Sequence, residues 1–147
     1  MRTIPIFGAT AALALGIGLS LSAFGQDRPD LLGEWTGTAR FMAFDPTGAY
    51  GDQGTEPQYR EPQAALTLIE ENDGRYLGTM RVGDAEEAFP KILIVASDGS
   101  RLFAADLNGT SSGWMIDENH FELCHTQSNL EQDHMIVSCI VFERSDN

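Results

Sequence analysis

The stretch QAALTLIEENDGRYLGTMRV, residues 63–82, decides the fold. Two runs of alternating apolar and polar residues, Gln63–Glu71 and Arg75–Val82, flank Asn72-Asp73-Gly74. Alternation with period two marks a strand with one buried face, and an Asp-Gly step between two such runs marks a tight hairpin turn. The same rhythm continues on both sides. Downstream, Ala88–Ala96 and Arg101–Leu107 bracket Ser97-Asp98-Gly99-Ser100. Gly113–Asp117 turns at Glu118-Asn119 into His120–Gln127, and His134–Arg144 closes the series. Upstream, Gly33–Phe44 carries Trp35, Ala39 and Phe41 on one face and Thr36, Thr38 and Arg40 on the other.

The expected fold is therefore all-β, eight antiparallel strands joined in sequence as an up-and-down meander. Eight is the number at which a sheet closes into a barrel whose interior is either filled by side chains or opened to one small ligand. Closure also removes the exposed edges that invite aggregation. In such a barrel the first strand lies beside the last, which brings Trp35 near Arg144. One connection is long, Asp45–Pro62, with three prolines, three glycines and the tyrosines Tyr50 and Tyr59. A connection of that length in a small domain is usually functional or disordered.

The barrel follows a leader. Residues 1–25 hold Arg2 as their only charge, an apolar run from Ile4 to Leu21 and a small-residue ending, Ala23-Phe24-Gly25. This is the layout of a secretory signal peptide and implies a periplasmic or extracellular protein. Removing it leaves residues 26–147 as one domain, with eight basic against 22 acidic residues. So acidic a surface repels nucleic acid and anionic lipid and tolerates basic partners. No membrane contact beyond export is expected.

Cys124 and Cys139 are the chain's two cysteines, and in an oxidising compartment an even pair reads as a disulfide. Pairing across a hairpin centres the turn between Glu131 and Gln132, inside the polar stretch Ser128–Asp133. By loop-closure entropy the bond contributes about 3 kcal/mol. The same register sets His120 opposite Glu143.

Gly33-Glu34-Trp35, the eight-strand meander and Arg144 late in the last strand together resemble the calycin group, the lipocalins and avidins. The resemblance implies an indole lying across the closed end of the barrel with a guanidinium stacked over it, so Gly33, Trp35 and Arg144 take structural roles. No ligand residue follows from it. The segments Gly33–Gly37, Asp73-Gly74-Arg75 and the Cys124, Cys139, Arg144 ending also look like small exported bacterial β-barrel proteins without an assigned activity.

Motifs for chemistry give less. Gly109-Thr110-Ser111-Ser112-Gly113 matches the Gly-x-Ser-x-Gly nucleophile elbow in letters, but that motif needs a strand-to-helix turn and no helix follows here. The segment reads as a hairpin loop. His120, His125, His134 and Cys124 suggest a metal, yet residues four or five apart on a strand are about 13–17 Å apart, too far for zinc. Asp106, Asn108 and Asp117 lack the spacing of a calcium loop. No metal, cofactor or catalytic residue is expected, and the chain reads as a non-enzymatic protein.

In a meander with a closed Trp35 end, the connections after alternate strands gather at the opposite end as a mouth, with Asp45–Pro62 as its lid. The small residues Gly37, Ala39 and Gly78 leave room on the inner face beside Phe41, Tyr76 and Met80. With Tyr50 and Tyr59 from the lid, these form the expected contacts for a small apolar or cationic ligand. The alternatives are an interior filled by bulky residues with a protein partner at the loops, or an acidic inhibitor or decoy of a basic secreted enzyme such as a lysozyme or protease.

Overall fold

A computed structural model of the protein describes residues 28–44, 56–129 and 134–145. The leader, Tyr50 and the turn at Glu131–Gln132 lie outside the described residues. Among the described residues nine strands follow one another: β1 (Gly33–Phe44), β2 (Gln58–Arg60), β3 (Gln63–Glu71), β4 (Arg75–Val82), β5 (Phe89–Val95), β6 (Arg101–Ala105), β7 (Thr110–Met115), β8 (His120–Asn129) and β9 (His134–Arg144). Each of β3 to β8 pairs antiparallel with the next, and β1 pairs with both β3 and β9. The result is the closed eight-stranded up-and-down barrel expected from the hairpin rhythm, with β2 as a short addition to β1.

Local chemistry explains the turns. Asp73 and Gly74 both have positive φ, 56° and 76°, the left-handed pair that a tight hairpin needs and that Asp-Gly tolerates best. Asp98 accepts hydrogen bonds from the backbone N–H groups of Ser100 and Arg101, which fixes the next hairpin. Asp106 does the same for Asn108 and Gly109, and β6 ends just before it at Ala105, two residues short of the expected Leu107.

Apart from shifts of one or two residues at several strand ends, two features differ from the sequence reading. The long connection contains β2, whose Tyr59 faces Met42 across the ladder. And β7 begins at Thr110, so Thr110–Gly113 is strand, not hairpin loop. Thr110 pairs with Thr126 and with Ala105, and glycine at 113 permits β8 to pass so close that the ladder continues through a segment of weak strand-formers.

The barrel is closed at the Trp35 end. Trp35 pairs with Arg144 in register, and the guanidinium lies 4.2 Å over the indole. Arg144 also donates to the carbonyls of Leu32 and Asp30. Trp35 Nε1 donates to the Leu31 carbonyl at 2.9 Å, and its ring meets Phe121 at 4.7 Å, which in turn meets Phe142 at 5.2 Å. These rings with Leu31, Leu66, Leu68, Leu93 and Leu102 are fully buried and form the core. The bulk of the interior apolar volume therefore sits in one half of the cylinder.

Cys124 and Cys139 face each other in register on β8 and β9 and form a disulfide, with Cα atoms 4.0 Å apart. Both neighbours of each, Leu123 and His125, Ser138 and Ile140, belong to the inner face, so the bridge lies on the outside of the barrel. His120 faces Glu143 as the register requires, and its Nδ1 bonds Asp117 at 2.8 Å.

Candidate functional site

Inward-facing positions change character along the strands. On β1 the large Trp35 gives way to Gly37 and Ala39; on β5 Leu93 gives way to Lys91; on β8 Leu123 gives way to His125 and Gln127; on β9 Phe142 gives way to Ser138. Where the residues are smaller or polar, the barrel holds a cavity of about 550 Å3. Its apolar wall includes Phe41, Met80, Phe89, Ile136 and Ile140, and Asp84 and Arg60 border it from the connections at the mouth end.

On one side of this cavity four polar side chains from four strands or strand ends converge. Lys91 Nζ donates to Asp106 Oδ2 at 2.7 Å and to Ser111 Oγ at 3.1 Å. Ser111 Oγ lies 3.1 Å from His125 Nδ1, and His125 Nδ1 is 4.0 Å from Asp106 Oδ2. The Lys91 and Asp106 side chains are 2% and 3% exposed. Lys91, Asp106 and His125 border the cavity, and Ser111 is buried behind them.

The protons of this cluster follow from its donors. An ammonium has no acceptor, so Ser111 accepts from Lys91, and its own proton can be given to His125 Nδ1 in the neutral tautomer that carries its proton on Nε2. Burial, and after it the charge of Lys91, push the His125 imidazole below its ordinary value against the pull of Asp106. Burial by itself would raise the Asp106 carboxyl, but the bonds from Lys91 and from the Asn108 N–H outweigh it and hold the group ionised.

Why these residues arrive here is a matter of parity. Lys91, Leu93 and Val95 alternate on the inner face of β5. Gly78, opposite Lys91 on β4, supplies no side chain to compete for the space. Ser111 points inward because β7 starts at Thr110, and His125 lies opposite it on β8.

Phe41 and Met80 of the expected ligand contacts line the cavity. Tyr76 does not: it sits at the closed end, where its hydroxyl donates to the Pro29 carbonyl at 2.8 Å, so its role is closure. The inner face was read correctly for Tyr76, but its place along the axis puts it four residues towards Trp35 from Met80. Tyr59 is 76% exposed on β2 and lies on an outer groove with Met42 and Val137 rather than in the cavity. Tyr50 lies outside the described residues.

Reading the linear sequence brought no nucleophile, base and orienting group together, whereas folding brings Lys91, Asp106, Ser111 and His125 into contact. Two signals pointed there. Lys91 shares strand parity with Leu93 and Val95, and among the nine lysine and arginine residues of the chain it alone is lysine. Among the described residues one group of three metal-capable side chains is close enough to share an ion, Glu122 with Cys124 and Cys139, and both sulfurs are committed to the disulfide.

No protein-family model matches the chain. No curated protein matches it either. Among solved structures, it is similar to the crystal structure of a protein of unknown function from the DUF3598 family of Nostoc punctiforme PCC 73102. The two share 14% identity with a TM-score of 0.52 over 78% of this chain and 48% of that one. The chain thus spans about half the length of that neighbour, and the likeness shows the fold alone.

Proposed function

We propose that the protein is an exported binding barrel, of calycin type, that holds one small and mainly apolar molecule in the half of its interior opposite Trp35. The observation that carries this reading is the 550 Å3 cavity with its apolar wall and one polar side. Ligand sites are concave, of roughly 300–1,000 Å3, mostly apolar, with a few convergent polar groups that orient the guest.

The buried pair adds support. A desolvated ion pair seldom stabilises a fold more than apolar residues of the same volume would. Lys91 and Asp106 at the cavity wall therefore have a better rationale in binding than in stability. Their charges cancel, and the exposed carboxylates Asp84, Glu86 and Glu87 stand at the mouth connection between β4 and β5. A neutral guest suits this site better than an anion. The disulfide supports residence in an oxidising compartment, periplasmic or extracellular, which is the place the leader specifies.

N-Phenyl-1-naphthylamine, a neutral apolar fluorophore, tests the reading. Titration of the protein should give a saturable fluorescence gain with one site per chain. Ala39→Phe and Ser138→Phe, which project into the cavity, should abolish the gain while far-UV circular dichroism stays that of a barrel. Absence of saturable binding, or binding unchanged in both filled variants, would overturn it.

A further inference from the structure

We infer that Lys91 is a carbonyl-capture site, on which a small apolar aldehyde entering the cavity condenses to a protonated imine held by Asp106. The inference rests on the binding-barrel reading above and names the chemical class of its guest.

Three observations carry it. The first is the choice of cation. The chain places arginine at every other basic position and lysine once, at a buried position on the cavity wall. An arginine would pair with a carboxylate at least as well, in a two-pronged geometry, but its guanidinium stays protonated in proteins. Lysine differs in that its amine can lose a proton and attack a carbonyl carbon.

The second observation is a route for that proton. Lys91 Nζ bonds Ser111 Oγ at 3.1 Å, and Ser111 Oγ bonds His125 Nδ1 at 3.1 Å. Ser111 can take a proton from the ammonium as it passes its own to the imidazole. The charge then moves from one neighbour of Asp106 to another, since His125 lies 4.0 Å from the same carboxylate oxygen. Net charge in the cluster does not change, so the step avoids the cost of creating a lone buried charge.

The third is the counter-ion. Asp106 Oδ2 is already 2.7 Å from Nζ, and Oδ1 is anchored by the Asn108 and Gly109 N–H groups. The carboxylate is fixed where the positive charge of an iminium would stand.

The reaction balances. The free amine adds to the aldehyde carbon; the C–N bond forms and the carbonyl π pair moves to oxygen. The imidazolium returns its proton through Ser111 to the departing oxygen, and the carbinolamine loses water. The sum is R–CHO plus Lys91–NH3+ giving R–CH=NH+–Lys91 plus H2O, with no oxidant or reductant. Lys91 is the residue that touches the guest; Ser111 and His125 are positioning residues that act through it.

Cinnamaldehyde with sodium cyanoborohydride provides the test on the purified protein, read by intact mass and peptide mapping. The lone lysine makes the readout simple, because the chain's one other primary amine is its N-terminus. The expected result is a single adduct of the aldehyde's mass less one oxygen, mapped to Lys91 and suppressed by excess cinnamyl alcohol, which fits the cavity but cannot condense. Lys91→Arg, which keeps the charge beside Asp106, should bind the alcohol and form no adduct. Ser111→Ala should still bind the alcohol and, at saturating aldehyde, form the adduct about 100-fold more slowly, the usual scale for loss of a proton-transfer partner. An adduct confined to the N-terminal amine, or none at all while cinnamyl alcohol still binds, would overturn the imine and leave the binding barrel standing. Failure of both the aldehyde and the alcohol to bind would overturn both readings. A Ser111→Ala rate equal to that of the parent would overturn the proton route.

Discussion

At the scale of single residues, the interior cluster links ionisation to stability. His125 is neutral in the fold because burial and Lys91 disfavour its charged form. In the unfolded chain it takes up a proton at about pH 6.5, and in the fold only at lower pH. The unfolded state therefore binds more protons as pH falls below about 6.5, and stability falls with it. Asp106 has its carboxyl held below the ordinary value, so its contribution is present above about pH 4 and is lost at more acid pH. Two separate declines are expected in urea midpoints measured from pH 8 to pH 3. His125→Gln, which leaves an acceptor near Ser111, should remove the upper decline and keep the lower one. A variant that retains both would show that another group is responsible.

At the scale of elements, β7 depends on the absence of a side chain. A Cβ at Gly113 would stand 1.7 Å from the Glu122 carbonyl of β8 and 3.0 Å from the Leu123 Cα, both backbone atoms that cannot step aside without opening the ladder. Gly113→Ala should cost about 3 kcal/mol or more in chemical unfolding, at the high end for overpacking. Ser112→Ala, next in the chain but on the exposed outer face, should stay within about 0.5 kcal/mol. The contrast matters for the site, because the close approach of β7 to β8 is what brings Ser111 within hydrogen-bonding distance of His125.

The whole molecule is polarised along its axis. One end is a plug of rings and leucines sealed by Arg144; the other is a cavity with a polar wall. Arg144→Ala removes the stacking on Trp35 and two bonds from a charged donor to the carbonyls that cross the closed end. A loss of about 2 kcal/mol is expected. Binding of N-phenyl-1-naphthylamine to the folded variant should be unchanged, since the seal and the cavity occupy opposite halves. A variant with wild-type stability but altered binding would contradict that division.

The fold was legible because its determinants are local. Asp73-Gly74 dictates a tight turn whatever surrounds it, alternation dictates which side chains face inward, and the positions of Cys124 and Cys139 fix the register of the last hairpin. From strand count and closure, the meeting of Trp35 with Arg144 followed. The site was not legible to the same degree, because its members are scattered over β5, the end of β6, β7 and β8, and no short-range signal joins Lys91 to Ser111, twenty residues on. The weak strand-formers of Thr110–Gly113 read as a loop until a neighbouring strand supplied their hydrogen bonds. Parity places a residue on the inner face, but height along the axis decides whether it meets the plug, as Tyr76 does, or the cavity, as Lys91 does. That height is set by the stagger of strands around the closed cylinder, a property of the assembled sheet that no single strand carries.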